Sequence, residues 1–191
     1  MTAALDQWAF TSPHEGVIPH LYLDSRGNVT AGVGFLIPDE AALRRLPWYP
    51  NVQTALVDYS RVRAAETGHV ALWYRKLTIA RLRAEDMRRL FEDHVLEFRK
   101  AAVRAGWRLE RYPLPAQIAI VDMAFNLGVG TPMSAILPAG QKRKGLGAYK
   151  ELFAAVEAGD WSKAARECKR GGIGQARNDA TAAQFLACVA S

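Results

Sequence analysis

No stretch of the 191-residue sequence approaches the roughly 20 consecutive apolar residues that span a bilayer, so stable membrane insertion is not expected. The opening run, Met1-Thr2-Ala3-Ala4-Leu5-Asp6, has neither the basic n-region nor the apolar h-region of a signal peptide, and the expectation is synthesis in the cytoplasm without an export signal. Cysteine is scarce: Cys168 and Cys188 stand alone near the C-terminal end, which excludes a disulfide framework. They form either one late bridge or two buried thiols, and the favoured reading is free thiols acting as small hydrophobes. Neither has an adjacent histidine or a metal-ligand spacing, so a cysteine nucleophile is not expected. Internal repeats and low-complexity tracts are absent as well.

What is present is ordinary globular material. Half of the residues are hydrophobic, 23% are charged and 9% are aromatic, values that exclude a wholly disordered or collagen-like chain. The length suits a single domain or two small lobes. The net charge of +6 favours an anionic partner, which leaves nucleic acid, a membrane surface and an acidic polymer open. That charge is uneven: residues 1–60 hold three Lys/Arg against six Asp/Glu, while 61–191 hold 22 against 13.

Along the chain, residues 3–11 read as a short helix with Leu5, Trp8 and Ala9 on one face, and Pro13 is expected to disfavour helix at Ser12, so that the chain leaves the helix just before Glu15-Gly16. Leu21–Asp24, the turn formers Ser25-Arg26-Gly27-Asn28 and Val29–Ala31 then predict a β-hairpin. Gly32-Val33-Gly34 ends it, and Phe35–Pro38 leads into a third short strand or a loop. Asp39 is placed to cap a helix over 40–46, and residues 52–66 continue a mixed helical pattern. Residues 69–82 fit an extended or a helical conformation equally well. The clearest helix is 84–105, where Met87, Leu90, Phe91, Val95 and Phe98 recur at three- and four-residue steps before Gly106. A strongly apolar helix over 115–127 reads as buried and central; 128–147 is glycine-rich loop; three further helices follow over 148–158, 160–169 and 178–189, with Asp160 and Asn178 as N-caps.

Three functional groups fall around the hairpin: Glu15 after the first helix, Asp24 at the end of the first strand and Thr30 in the second. Two carboxylates and a hydroxyl are the set that glycoside hydrolysis needs, one acid for the leaving oxygen, one base for water and a polar group to hold that water. The same residues also have ordinary structural uses, as a helix-end carboxylate, a turn former and a β-former.

The stretch Glu15-Gly16 followed by Tyr22-Leu23-Asp24-Ser25-Arg26-Gly27-Asn28-Val29-Thr30-Ala31-Gly32-Val33-Gly34 resembles the active-site signature of the phage-type lysozymes, glycoside hydrolase family 24. The Glu-to-Asp step of nine residues and the Asp-to-Thr step of six agree with that family. Leu90-Phe91 with Asp93-His94-Val95, Ala124–Gly130, Ala158–Trp161, Gly172-Ile173 and Arg177-Asn178 resemble more distant parts of it, in order and approximate spacing. Departures are Phe35, where many members have His after Gly-x-Gly; Pro13 just before the Glu; and a longer segment over 38–82, read as an added cover of the groove or a contact surface.

The resemblance implies a single α+β, mostly α, lysozyme-like domain over 1–191, two-lobed, with a β-hairpin lobe at about 15–37, a linking helix at about 84–105 and a helical lobe at about 106–191. It implies a muramidase that cuts between N-acetylmuramic acid and N-acetylglucosamine in peptidoglycan. Glu15 would be the general acid, in an apolar setting that includes Tyr22 or Phe125. Asp24 would orient or deprotonate water and Thr30 would position it, with inversion and a carboxyl separation of roughly 6.5–9.5 Å. Leu36, Phe125 and Asn126 match positions that line the sugar groove; core packing and a helix C-cap are their plain alternatives. No metal or other cofactor is implied. Action on the wall in the periplasm requires delivery, by a holin or a secretion system, and in a secreted toxin an immunity protein would be the partner. The alternatives are a lytic transglycosylase and a non-catalytic peptidoglycan-binding module.

Other signals carry less. His14-Glu15 with His20 lacks the spacing of a helical zinc motif, since Gly16 and Pro19 intervene. Gly32-Val33-Gly34 lacks the third glycine of a dinucleotide fingerprint and reads as a strand-end turn. Lys142-Arg143-Lys144 has no nucleic-acid-binding motif around it, so nucleic acid is not an expected partner, and a basic lobe suits anionic peptidoglycan better.

Overall fold

A computed structural model describes residues 3–189, with side chains from Gln7 onward, so that Leu5 of the first helical face lies outside the described side chains. The chain is mostly helical with one small three-stranded antiparallel sheet, the expected α+β class. Two compact units divide it, one of Thr11–Glu92 and one of Met1–Phe10 with Asp93–Ser191.

Helix α1 (Ala3–Glu15) runs through Pro13 rather than breaking before it. Proline's ring holds φ near the helical value, so within a last turn its main cost is one missing amide donor. Gly16, at φ +76°, takes the left-handed conformation that ends the helix, and its amide bonds the Ser12 carbonyl at 3.0 Å.

In the Thr11–Glu92 unit the sheet order is β1 (Ile18–Leu23), β2 (Val29–Gly32), β3 (Phe35–Leu36). Tyr22 pairs with Thr30, and Thr30 pairs in turn with Leu36. Because side chains alternate along a strand, Leu21, Leu23, Val29 and Ala31 share one face, and with Ile37 they join the hydrophobic core of this unit. Gly32 and Gly34, at φ +64° and +72°, make the β2–β3 turn, and a Cβ on Gly32 would collide with the Phe35 ring.

Residues 38–82 build the other side of that core. Helix α2 (Glu40–Arg44) is capped by Asp39, whose carboxylate accepts from Ala42 N at 2.7 Å. Helix α3 (Val52–Arg63) is capped by Asn51, which accepts from Thr54 N at 2.9 Å. The undecided stretch is a 3-10 helix over Ala71–Leu77 followed by extended chain, in which Arg81 bridges to Tyr49. What sets it is a long-range contact: fully buried Asp58 accepts from Ile79 N at 2.6 Å and Ala80 N at 2.7 Å through one oxygen. The segment is also tied to β1, since a His20 ring nitrogen bonds the Ala71 carbonyl at 3.0 Å and Leu82 N donates to Pro19 O at 2.7 Å.

In the second unit, helix α4 (Ala84–Arg104), whose first turns belong to the other unit, gives way to Gly106 at φ +106°. Helix α5 (Leu114–Leu127) is buried from Ile118 through Ala124, as its apolar sequence requires. A loop and a 3-10 turn over Gly145–Ala148 lead to α6 (Lys150–Ala158), α7 (Trp161–Glu167) and α8 (Gln175–Ala187). Asp160 caps α7 through Lys163 N at 2.8 Å. Asn178 does not cap α8: Gly174 holds that position, and Asn178 lies within the helix, buried, exchanging two bonds with the Arg170 backbone at 2.9 and 3.0 Å. A buried network explains the shift, with Asp122 of α5 bonded to Arg170 at 3.0 Å and to Arg177 at 2.8 Å, so α8 starts early enough to present Arg177 inward. Both cysteines are buried free thiols, and burial pushes the Cys168 thiol up to about 11. Among the described residues no helix is long and apolar enough to cross a membrane.

Candidate active site

The β1–β2 turn determines where Asp24 stands. Asp24 O accepts from Gly27 N at 3.0 Å, Gly27 takes φ +79°, and Asp24 N donates to Asn28 O at 2.9 Å, which closes the hairpin over three residues. The Asp24 carboxylate folds back over this turn. Its Oδ1 accepts from Arg26 N and Asn28 N, both at 2.8 Å, and its Oδ2 accepts from Asn28 Nδ2 at 3.0 Å. A carboxylate offers about four acceptor positions, so one on Oδ2 is left for another donor.

Burial alone would raise the Asp24 carboxyl. The donors from Asn28 and Arg26, with the Arg26 charge, outweigh it and hold Asp24 below the ordinary carboxylate range. The turn therefore keeps Asp24 ionised.

Asn28 acts on Thr30 too. The Thr30 hydroxyl, buried with its residue, donates to Asn28 O at 3.1 Å, which commits its proton and leaves its lone pairs as acceptors. Tyr22, Thr30 and Leu36 stand in one cross-strand row. Tyr22 also reports on both carboxylates: burial, then the negative charges of Glu15 and of Asp24, push its hydroxyl up to about 12. Glu15 itself is the half-buried last residue of α1. Glu15, Asp24, Thr30 and Leu36 thus belong to one compact unit, and the charges of both acids act on Tyr22.

Leu36 is 57% exposed, so it is not a core residue. It lines a cavity of about 270 Å³ with Asn28, Ile37, Pro38, Tyr59 and Arg63. Phe125 and Asn126 lie in the other unit at the end of α5; Phe125 is half-buried with its ring 5.3 Å from that of Phe98, and Asn126 is exposed. The C-cap of α5 is Gly128, so Asn126 is not the cap.

In the sequence Asn28 reads only as a turn former. The signal was there: an Asx residue four positions after an Asp, across a glycine turn, is spaced to bond both its backbone and its carboxylate. The 38–82 segment comes close to the hairpin turn, where Thr67 would touch a side chain placed at Gly27.

The discounted signals have structural uses. His20 is buried and spent on the Ala71 carbonyl. Arg143 pins its own loop by donating to the carbonyls of Pro132, Met133 and Ala135 at 2.8, 3.2 and 2.7 Å. A larger cavity of about 550 Å³ adjoins that loop, and no carboxylate lines it. No group of His, Cys, Asp and Glu suited to a metal ion occurs among the described residues. No model of a known protein family matches the chain, and no curated protein matches it.

Proposed function

We propose that the protein is a muramidase that hydrolyses the bond between N-acetylmuramic acid and N-acetylglucosamine in peptidoglycan. The observation that carries this reading is the Asp24–Asn28–Thr30 arrangement, an ionised carboxylate and a hydroxyl both left as acceptors by one asparagine. The sugar and the wall come from the resemblance of residues 15–34 to the phage-type lysozymes.

In this mechanism a water donates one hydrogen to Asp24 Oδ2 and the other to Thr30 Oγ1, so that its lone pair is turned toward the anomeric carbon. Glu15 protonates the leaving oxygen while Asp24 draws the proton from the attacking water, and charge on the ring passes through an oxocarbenium-like transition state. Attack from the face opposite the leaving group inverts the anomeric centre. Leu36, exposed beside the hairpin turn, contacts the sugar.

An enzyme of this kind acts on the periplasmic face of the wall after delivery by phage-type permeabilisation or a secretion system. Delivered as a toxin, it calls for an immunity protein in the producing cell. Stereochemistry tests the mechanism: proton NMR of fresh products should show the inverted anomer first, and the retained anomer would overturn it.

A further inference from the structure

The cavity beside the hairpin turn has one wall from the sheet and one from α3. Asn28, Leu36, Ile37 and Pro38 form the first, Tyr59 and Arg63 the second. That second wall is held rigidly. Tyr59 donates its hydroxyl to Ile37 O at 3.3 Å, and Asp58 next to it clamps the 79–80 backbone. Arg61 is paired with Asp58 at 3.7 Å, whereas the exposed Arg63 has no hydrogen bond or ion pair among the described residues. A guanidinium with five free donors thus lines a small pocket of mixed polarity together with Asn28, the residue bonded to Asp24.

We propose that this pocket is a subsite for the peptide stem of peptidoglycan, with Arg63 binding a stem carboxylate in a bidentate pair and the apolar walls taking the adjoining aliphatic side chain. The proposal rests on the muramidase reading for its substrate. It gives the 38–82 segment a role in selecting glycan that carries peptides. Arginine fits this better than lysine, because its planar fork matches a carboxylate and its charge persists at every working pH.

The test uses the full chain and two substrates, intact peptidoglycan and glycan strands from which an amidase has removed the stems. The wild type should prefer intact material. Arg63→Ala should lower that preference, the ratio of kcat/KM on intact to stripped strands, by about fivefold, chiefly through KM, a size set by a partly exposed charge pair. Arg63→Lys should recover part of it. A preference that Arg63→Ala leaves unchanged overturns the subsite. So does an equal or larger loss on stripped strands, whose uncovered lactyl carboxylates would then be the ligand.

Titration of the wild-type protein with a soluble stem tetrapeptide, followed by the NMR signals of the Arg63 side chain and the Asn28 and Leu36 amides, separates this proposal from the reading beneath it. Shifts that saturate and vanish in Arg63→Ala support the subsite even if neither substrate is cut, in which case the muramidase reading alone fails. Absence of shifts overturns the subsite whatever the activity.

Discussion

Asp24 and Asn28 are joined by three hydrogen bonds, from Asp24 N to Asn28 O at 2.9 Å, from Asn28 N to Asp24 Oδ1 at 2.8 Å and from Asn28 Nδ2 to Asp24 Oδ2 at 3.0 Å. The last is the only one that depends on the asparagine side chain. Asn28→Ala removes it and spares the turn's backbone bonds. One of the donors holding Asp24 low is then gone, so its carboxyl pKa rises and the residue loses its charge at a higher pH. The acid limb of the kcat/KM profile should move upward in Asn28→Ala relative to wild type; superimposable limbs would show that Asn28 does not tune Asp24. Stability follows the same sign. The lowered pKa contributes stability above the unfolded carboxyl range, and this is lost as pH falls through the folded value of Asp24.

Tyr22 offers a check on the geometry that needs no substrate. Its hydroxyl should titrate near 12 by ultraviolet difference spectroscopy, raised by burial and by the charges of Glu15 and Asp24. Glu15→Gln and Asp24→Asn should each bring it down toward the ordinary tyrosine value. A Tyr22 titration insensitive to both would mean that the two acids do not flank it. Because the folded pKa is raised, Tyr22 contributes stability that is intact below the unfolded value near 10 and is lost as pH climbs through about 12.

Thr30 separates water positioning from strand structure. Thr30→Val keeps the β-branched shape but removes the hydroxyl that bonds Asn28 O. Its kcat should fall by about 10²-fold, the scale expected when a reacting group is misplaced, with KM nearly constant. Thr30→Ser should retain most of the rate. An active Thr30→Val enzyme would remove Thr30 from the mechanism.

Asp58 should matter for stability. It is fully buried, and Asp58→Ala would strip the Ile79 and Ala80 amides of their acceptor. A loss of about 3 kcal/mol is expected in denaturant unfolding, since hydrogen bonds to a buried charge contribute about 1.5–3 kcal/mol each. A loss under about 1 kcal/mol would show that water replaces the carboxylate there.

Local chemistry was readable in the sequence. The Asp24–Asn28 turn, the Asp39 and Asp160 caps and the end of α4 at Gly106 each depend on residues a few positions apart. Features that depend on distant partners were not. The 69–82 stretch lacks a decisive period because its conformation is set by Asp58, about 20 residues upstream. Asn178 looks like a cap until Arg170 and Asp122 draw α8 into the interior. At the candidate site, Glu15, Asp24 and Thr30 stand out only through the resemblance of residues 15–34 to a family signature, while Arg63 carries no such mark, because its neighbours are brought to it by the packing of α3 against the sheet.

The central claim is tested most directly by digesting purified peptidoglycan with the wild type and with Glu15→Gln, and identifying the products by mass spectrometry. Muropeptides with hydrated reducing N-acetylmuramic acid ends from the wild type alone are the predicted result. Intact glycan from both would contradict hydrolysis and leave a wall-binding module, and 1,6-anhydro ends would contradict the water held by Asp24 and Thr30, because a transglycosylase closes the ring without one.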